Sequence, residues 1–355
     1  MSTRSNWTDG ELIQKGSVKD IYSVAGKESE QLFFSYSDRY SVFDWGEMPD
    51  ELEGKGEALS YMAWTFFKLL GDPIFWQKFS LEVDGQRESE LLSGFRKKGM
   101  PHHALGRPSN NGLLVKRIRV LHPPFDSTKG SWDYRDYTDN PPENALIPLE
   151  FIFRFGVPGG SSLLKRLSPD YLKNLGLLSP PQVGTRLERE IIEMSTKLES
   201  TDRYLQQSQV CEIAGLQNRE FGWLDAFTRL VSRFVKSVFE SRGIEVWDGK
   251  IELAFKQKID NGERDFMMVD SLGPDELRLM LPGQTVPLSK EILRQYYRGS
   301  EWARNVELAK EKAREKQISD WKSLCLEEFG PGPKPLPGNI KETVSTLYLS
   351  LANEV

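Results

Sequence analysis

Histidine and cysteine are scarce in this chain of 355 residues, and that scarcity removes several chemistries. The two cysteines, Cys211 and Cys325, are far apart and make neither a zinc spacing nor a disulfide framework, so reduced thiols in the cytoplasm are expected. The three histidines, His102, His103 and His122, lie in a Pro/Gly-rich stretch and read as surface-loop residues. A histidine triad or a histidine-rich metal site is therefore not expected. No run of about 18 apolar residues occurs, so no membrane span is expected. The first residues, MSTRSNWTDG, are polar and lack a signal-peptide core. Positive charge is also in short supply. With 47 Lys and Arg against 52 Asp and Glu, the net charge is −5, which argues against nucleic acid as a partner but allows a local basic pocket for phosphate. Acid–base or metal chemistry must come from carboxylates, lysines and arginines.

What is present is ordinary for a globular protein, with 38% hydrophobic and 28% charged residues. The length exceeds one small core and points to two packed lobes. The first third reads as β-rich: Glu11–Val24 around Gly16, the turn-like AGKESE, then the apolar strand QLFFSY at Gln31–Tyr36. Gly56–Leu70 has helical spacing, with Leu59, Met62, Ala63, Phe66, Phe67 and Leu70 on one side. LLVKRIRVL at Leu113–Leu121 reads as a strand. His122–Pro142 reads as the lobe connection with an insertion, and Ile147–Phe155 as a strand. Leu216–Gly243 is the strongest helix, with Leu224, Phe227, Val231, Phe234 and Val238 on one stripe. Glu301–Gln317 reads as a charged surface helix, and GPGPKPLPG at Gly330–Gly338 as an exposed linker before a short final helix. The exposed face of Glu301–Gln317 is compatible with a subunit contact, so a homo-oligomer is allowed.

One segment carries chemistry. In EVWDGKIELAF, Trp247, Ile251, Leu253 and Phe255 alternate with Asp248, Lys250 and Glu252, the period of a strand with one buried and one working face. Asp260-Asn261-Gly262 signals a turn, and Arg264–Asp270 returns. A two-residue loop would pair Leu253 with Asp270. A three-residue loop from Asp260 to Gly262 would pair Glu252 with Asp270 and keep the hydrophobic pattern consistent, so it is the expected register. Two facing carboxylates repel unless a cation joins them, and Mg²⁺ suits a site of one or two carboxylates completed by phosphate and water.

Seven blocks in order resemble the SAICAR synthase family (phosphoribosylaminoimidazole-succinocarboxamide synthase): KGSVKDIY at Lys15, SDRYSVFD at Ser37, EGKG at Glu53, PLEFIFR at Pro148, STKLE at Ser195, WDGKIELAF at Trp247 and VDSLGPDELR at Val269. The resemblance implies an α+β fold of two lobes, a β-rich ATP lobe packed on a larger α/β lobe. On that pattern residues 1–125 form the ATP-binding lobe, 126–300 the substrate and metal lobe, and 301–355 C-terminal helices. It implies a ligase of purine biosynthesis that joins the carboxylate of carboxyaminoimidazole ribotide to the amine of L-aspartate through an acyl phosphate. ATP and Mg²⁺ are the implied cofactors and small molecules the partners. Phosphoryl transfer is accelerated mainly by positioning and charge neutralisation, so lysines, arginines and a metal suffice.

The resemblance also implies roles. Lys15, Gly16, Ser17, Val18 and Lys19 form the turn over the ATP phosphates, where backbone N–H groups and a lysine charge suit phosphate. Lys116 lies at the adenine-binding connection. Arg154, Ser161, Ser162 and Arg278 match the region holding the ribotide phosphate. Asp248 and Lys250 match residues near the imidazole and reacting carboxylate, with Lys250, Asp248 and Arg278 as the catalytic set and Glu252 and Asp270 as the metal side. Asp38, Arg39, Asp44 and Lys55 fall in substrate-binding motifs between the lobes. Lys197 and Asp202 fall in a mobile loop linked to aspartate binding.

The chain departs from the family pattern at Ser17, where lysine is usual, at Thr201 before Asp202, at Ser271 after Asp270, at Ala254, and in RFGVPGGSS, which has an added residue. These changes spare Glu252, Asp270, Lys250 and Arg278. A paralogue with a related carboxylate or a different amine, or an inactive nucleotide-binding protein, is the alternative.

Overall fold

The computed structural model describes residue 7 and residues 9–258, 264–284, 287–316, 318 and 320–354. The turn Asp260–Gly262 and Gln317 lie outside them. The architecture is α+β, as expected. The chain divides into two compact units, one of Met1–Trp64, Ala104–Arg117 and Val286–Val355, the other of Thr65–His103 and Ile118–Thr285. Neither is a continuous range, and the C-terminal helices belong to the first unit rather than forming a third segment.

The first unit holds an antiparallel sheet of β1 (Leu12–Lys15), β2 (Lys19–Ser23), β3 (Gln31–Tyr36), β4 (Ala104–Ser109) and β5 (Gly112–Lys116) in the order β1-β2-β3-β5-β4. Phe33, Phe34, Leu113 and Val115 are buried. The strand expected to run to Leu121 stops at Lys116 because Arg119 leaves to bridge Ala145 in the second unit's own stretch of chain. The helix Glu301–Glu315 buries Trp302, Val306, Ala309 and Ala313, so it is amphipathic rather than a surface helix alone. The final helix, Gly338–Glu354, has 17 residues and is not short.

The second unit has a small ribbon, β6 (Phe125–Asp126) and β7 (Ser131–Trp132), and a larger sheet of β8 (Ala145–Gly156), β9 (Arg186–Thr196), β10 (Glu245–Lys258), β11 (Arg264–Val269) and β12 (Leu277–Met280). Its order is β11-β10-β8-β9, with β12 beside β10 on the β11 edge. The helix Asn218–Glu240 packs on β8, β9 and β10 and on the helix Gln86–Lys98; Leu224, Phe227, Val231 and Phe234 of the stripe read from sequence are buried, with Phe227 against Phe95 and Phe234 against Trp76. Gln217 and Glu220 form a capping box at its start, which satisfies N–H groups the first turn cannot bond internally. All 12 residues of β8 are buried, which explains its nearly continuous apolar sequence; Glu150 and Arg154 are its only charges. Among the described residues no helix is long and apolar enough to cross a membrane.

Candidate active site

Strand β10 organises the second unit's charged face. Asp248, Lys250 and Glu252 alternate along it as the sequence pattern requires, while Ile251, Leu253 and Phe255 are buried between them. The predicted pairing of Glu252 with Asp270 is not formed: Glu252 lies opposite Val269. The reason is local. Lys258 pairs with Arg264, which is the register the three-residue loop predicts, but the ladder slips between Phe255 and Lys258. There Lys256 and Gln257 face the single residue Asp265, an extra residue that shifts everything beyond by one. Asp270 follows the end of β11 with φ 65°, a left-handed conformation rare outside glycine. The two carboxylates still interact, since the Asp270 charge is one of the causes that raise the Glu252 pKa.

At this end of β10 charges of both signs crowd together. Directly across on β8, Glu252 faces Glu150. Lys197 Nζ lies 2.6 Å from Glu252 and 3.8 Å from Glu150, and Lys250 Nζ lies 2.5 Å from Glu150. Burial raises the Glu252 pKa, the Asp270 charge raises it further, and Lys197 only partly offsets them. For Lys197, burial favours the neutral amine, but Glu252, Asp270 and Glu150 outweigh it and the pKa is raised. Lys250 is raised likewise, Glu150 overcoming burial. Among the described residues no group of three or more His, Cys, Asp or Glu is arranged to hold a metal. Glu252 and Asp270 nonetheless fit a hard divalent cation that takes only two protein carboxylates, because their mutual repulsion is what such a cation would relieve.

At the other end of β10, Asp248 pairs across with Arg154 on β8 and Arg278 on β12. Its carboxylate lies 2.8 Å from Arg154 Nη1 and 3.0 Å from Arg278 Nε. Arg154 also donates to Glu193, and its Nη groups reach Ser161, Ser162 and Tyr204 at 3.3–3.4 Å. Arg154, Ser161, Ser162 and Arg278 are thus brought together around Asp248. Their readiness for a ligand differs. Arg154 is 1% exposed with its donors directed to protein groups, whereas Arg278 Nη1 is buried with no hydrogen-bond partner among the described residues. An unmet buried donor is costly, and an anion would satisfy it. Arg278 therefore keeps an unmet donor, whereas Arg154 is committed to protein groups.

In the first unit, a Cβ on Gly16 would come within 2.4 Å of the Lys19 carbonyl oxygen, so the turn requires glycine there. Arg39 holds the turn by donating to the Gly16 carbonyl (3.0 Å) and to Asp20 (2.6 Å), while Asp20 accepts from the Gly16 N–H. Lys19 Nζ lies over the Phe34 ring, and Lys15 pairs with Glu47 on the surface. Ser17 precedes Val18, whose carbonyl accepts from Ser37. Lys116 is the exposed last residue of β5. Asp38 accepts from the Gly54 and Gly56 N–H groups at the start of the helix Lys55–Gly71, and Asp44 pairs with Lys310. Lys55 is fully buried, its ammonium over the Tyr348 ring, so this arrangement does not present it to a ligand. Asp38 and Arg39 serve local structure here. In the second unit Asp202 is exposed in the loop after Lys197.

Several residues escaped sequence reasoning. Glu150 is central to the carboxylate cluster, and its signal was a lone acid two positions into PLEFIFR in an otherwise apolar strand. Glu193 and Tyr204 complete the Arg154 network and carried no pattern. His103 corrects the expectation of surface histidines. It is 3% exposed, and its Nε2 donates to the Asp270 carbonyl at 3.1 Å while its backbone N–H donates to Met268. It thereby braces the left-handed residue. His102 packs against Phe67, and only His122 is exposed.

Several known proteins are similar to this chain. A family model described as SAICAR synthetase matches residues 12–123 and 140–309. A protein of Archaeoglobus fulgidus, provisionally named phosphoribosylaminoimidazole-succinocarboxamide synthase, is 36% identical over 353 residues, covering 96% of this chain and 93% of its own. The synthase of that name from Thermoplasma acidophilum is 29% identical over 352 residues, covering 97% and 98%. Among solved structures, the SAICAR synthase of Saccharomyces cerevisiae complexed with SAICAR aligns with a TM-score of 0.56 at 18% identity, over 99% of this chain and 95% of that one. A type-2 SAICAR synthetase in complex with ADP aligns with a TM-score of 0.54 at 19% identity, over 92% and 100%. These two share the fold. With the family model covering most of its length, and a relative above 30% identity aligned almost end to end, the chain belongs to the SAICAR synthetase family.

Proposed function

We propose that this chain joins the carboxylate of carboxyaminoimidazole ribotide to the amine of L-aspartate, converting ATP to ADP and phosphate and giving SAICAR in purine biosynthesis. The observation that carries the reading is the row Asp248, Lys250, Glu252 on one strand face, with arginines gathered at one end and carboxylates at the other. A carboxylate is a poor acyl donor. Taking the terminal phosphoryl group of ATP, with ADP leaving, gives it a leaving group; the amine then attacks the acyl carbon and phosphate departs. Arg278 and the Ser161–Ser162 pair are assigned to the ribotide phosphate, with Asp248 and Arg154 holding Arg278 in place. Lys250 and Lys197 keep their protons through neutral pH because their pKa values are raised, so they act as fixed positive charges and not as bases. Glu252 and Asp270 would hold Mg²⁺, which supplies charge neutralisation for phosphoryl transfer when bound. The Lys15–Lys19 turn is assigned to the nucleotide phosphates.

The test is ADP release from ATP and the carboxy-ribotide with aspartate and with a panel of other amines. Aspartate-dependent release supports the reading; release with another amine and none with aspartate overturns it. For the metal, MgATP should raise the melting temperature of the wild type and not of Glu252→Ala or Asp270→Ala. Equal stabilisation of all three would remove the metal assignment.

A further inference from the structure

Residues 124–139 fall outside the stretches matched by the family model, yet they reach the loop that carries Lys197. Their fold is built for anchoring. The Asp126 carboxylate accepts from the Thr128 N–H, closing the ribbon turn, and Phe125 packs edge-on against Trp132. In the helical turn Arg135–Thr138, Tyr137 is fully buried with its hydroxyl 3.1 Å from the carbonyl oxygens of Leu121 and Leu146. Gly215 packs so closely on this turn that a Cβ there would lie 2.1 Å from the Tyr137 carbonyl oxygen. From this fixed base Tyr134 donates its hydroxyl to Glu199 at 2.9 Å.

Glu199 sits midway along the loop after β9. Its side chain is 6% exposed and its other charged partner, Arg203 at 2.7 Å, is about half exposed at 47%. A buried carboxylate needs its lone pairs met. Arg203 donates to both oxygens, Nη2 to Oε1 at 2.7 Å and Nε to Oε2 at 3.2 Å, but it belongs to the loop itself; Tyr134 is the buried donor that ties Glu199 to a segment outside the loop. The loop is closed at its base, where the Thr196 N–H donates to the Arg203 carbonyl at 3.0 Å and the Arg203 N–H to Thr196 Oγ1 at 3.1 Å. At its near end the Lys197 N–H donates to the Pro148 carbonyl and Nζ lies on Glu252.

We infer that Tyr134 is a positioning residue: through Glu199 it bolts the 197–203 loop so that Lys197 stays on the carboxylate cluster, and it thereby governs capture of the amine substrate. The bolt itself rests only on these contacts; the amine role rests on the function proposed above and on the resemblance that links this loop to aspartate. Removing the hydroxyl leaves the ring and its packing in place but frees Glu199 to seek water, which opens the loop.

Hydrogen exchange of the full chain tests the bolt without any substrate, and steady-state kinetics test the consequence. In Tyr134→Phe and Glu199→Gln, exchange in residues 197–203 should quicken about five- to tenfold, the loss of one buried hydrogen bond, while the helix Asn218–Glu240 stays as protected as in the wild type. The KM for aspartate should rise by a similar factor, with kcat and the KM values for ATP and ribotide nearly kept. Unchanged exchange in 197–203 overturns the bolt. Faster exchange with the aspartate KM unmoved, or with all three KM values rising together, overturns the amine role. If the wild type has no aspartate-dependent activity, the proposed function fails while the exchange measurement still decides the bolt.

Discussion

The two ends of strand β10 use the same residue types for opposite purposes. Around Asp248, two arginines flank one carboxylate, Glu193 takes Arg154 from the other side, and hydroxyls fill the remaining positions. Around Glu252, the carboxylates Glu150 and Asp270 crowd a third, and two lysines on flexible stems supply the balance. Among the described residues the first end is internally satisfied but for two arginine donors, Arg278 Nη1 and Arg166 Nε. The second holds like charges close together, at the expense of stability. Buried charge that is paired and hydrogen-bonded fixes geometry, whereas buried charge held against its own kind is a standing demand for a cation.

The largest effect should come from cutting the satisfied end. Arg154→Met breaks two buried ion pairs, leaving Asp248 to Arg278 and Glu193 to Arg166 and Tyr171, and should lower unfolding free energy by about 3–5 kcal/mol, read from urea denaturation. A loss below about 1 kcal/mol would mean that Arg154 is not the anchor and would erase the contrast. Glu252→Gln should behave the other way. It removes a charge from a crowded site, so stability should hold or rise slightly, while kcat falls by about 10²–10³ from lost transition-state charge management. A Glu252→Gln protein as unstable as Arg154→Met would show the two ends to be alike.

Much of this contrast was legible in sequence because it follows from period-2 alternation: Asp248, Lys250 and Glu252 had to share a face, and the arginine and carboxylate ends could be told apart by motif. The fold class and the main strands and helices were legible for the same reason, each burying one periodic face. The register was not. It depends on where an extra residue is accommodated, and nothing in LAFKQKID marks Lys256 and Gln257 as a bulge. Nor was the role of His103, because a buried hydrogen bond to a backbone carbonyl 167 residues away leaves no local pattern. Lys55 fell in a motif but lies beneath Tyr348, a contact set by the final helix and invisible to any short window.

An intermediate effect should come from His103, which touches the open end from behind. His103→Ala removes the donor to the Asp270 carbonyl and should cost about 1–3 kcal/mol, with an Mg²⁺ half-saturation in nucleotide-dependent stabilisation raised several-fold. His103→Gln, which can still donate, should recover part of both. If metal dependence is unmoved while stability falls, His103 supports the fold near Asp270 without orienting it.

The smallest effect, and the most direct comparison of the two ends, is the sign of their pH dependence. Glu252 has a pKa raised above its ordinary 4.5, so the stability it contributes is fully present below 4.5 and is lost as pH rises through the raised value. For Glu193, burial pushes upward, but Arg154, Tyr171 and Arg166 outweigh it and the pKa is lowered from 4.5. Its contribution is therefore present above 4.5 and is lost as pH falls through the lowered value. Urea midpoints measured from about pH 3 to 8 should show Glu252→Gln gaining on the wild type as pH rises, and Glu193→Gln closing on the wild type as pH falls. Both variants shifting in the same direction would mean that the carboxylates at the two ends of β10 sit in equivalent fields, and the division between a satisfied anchor and the proposed cation site would fail.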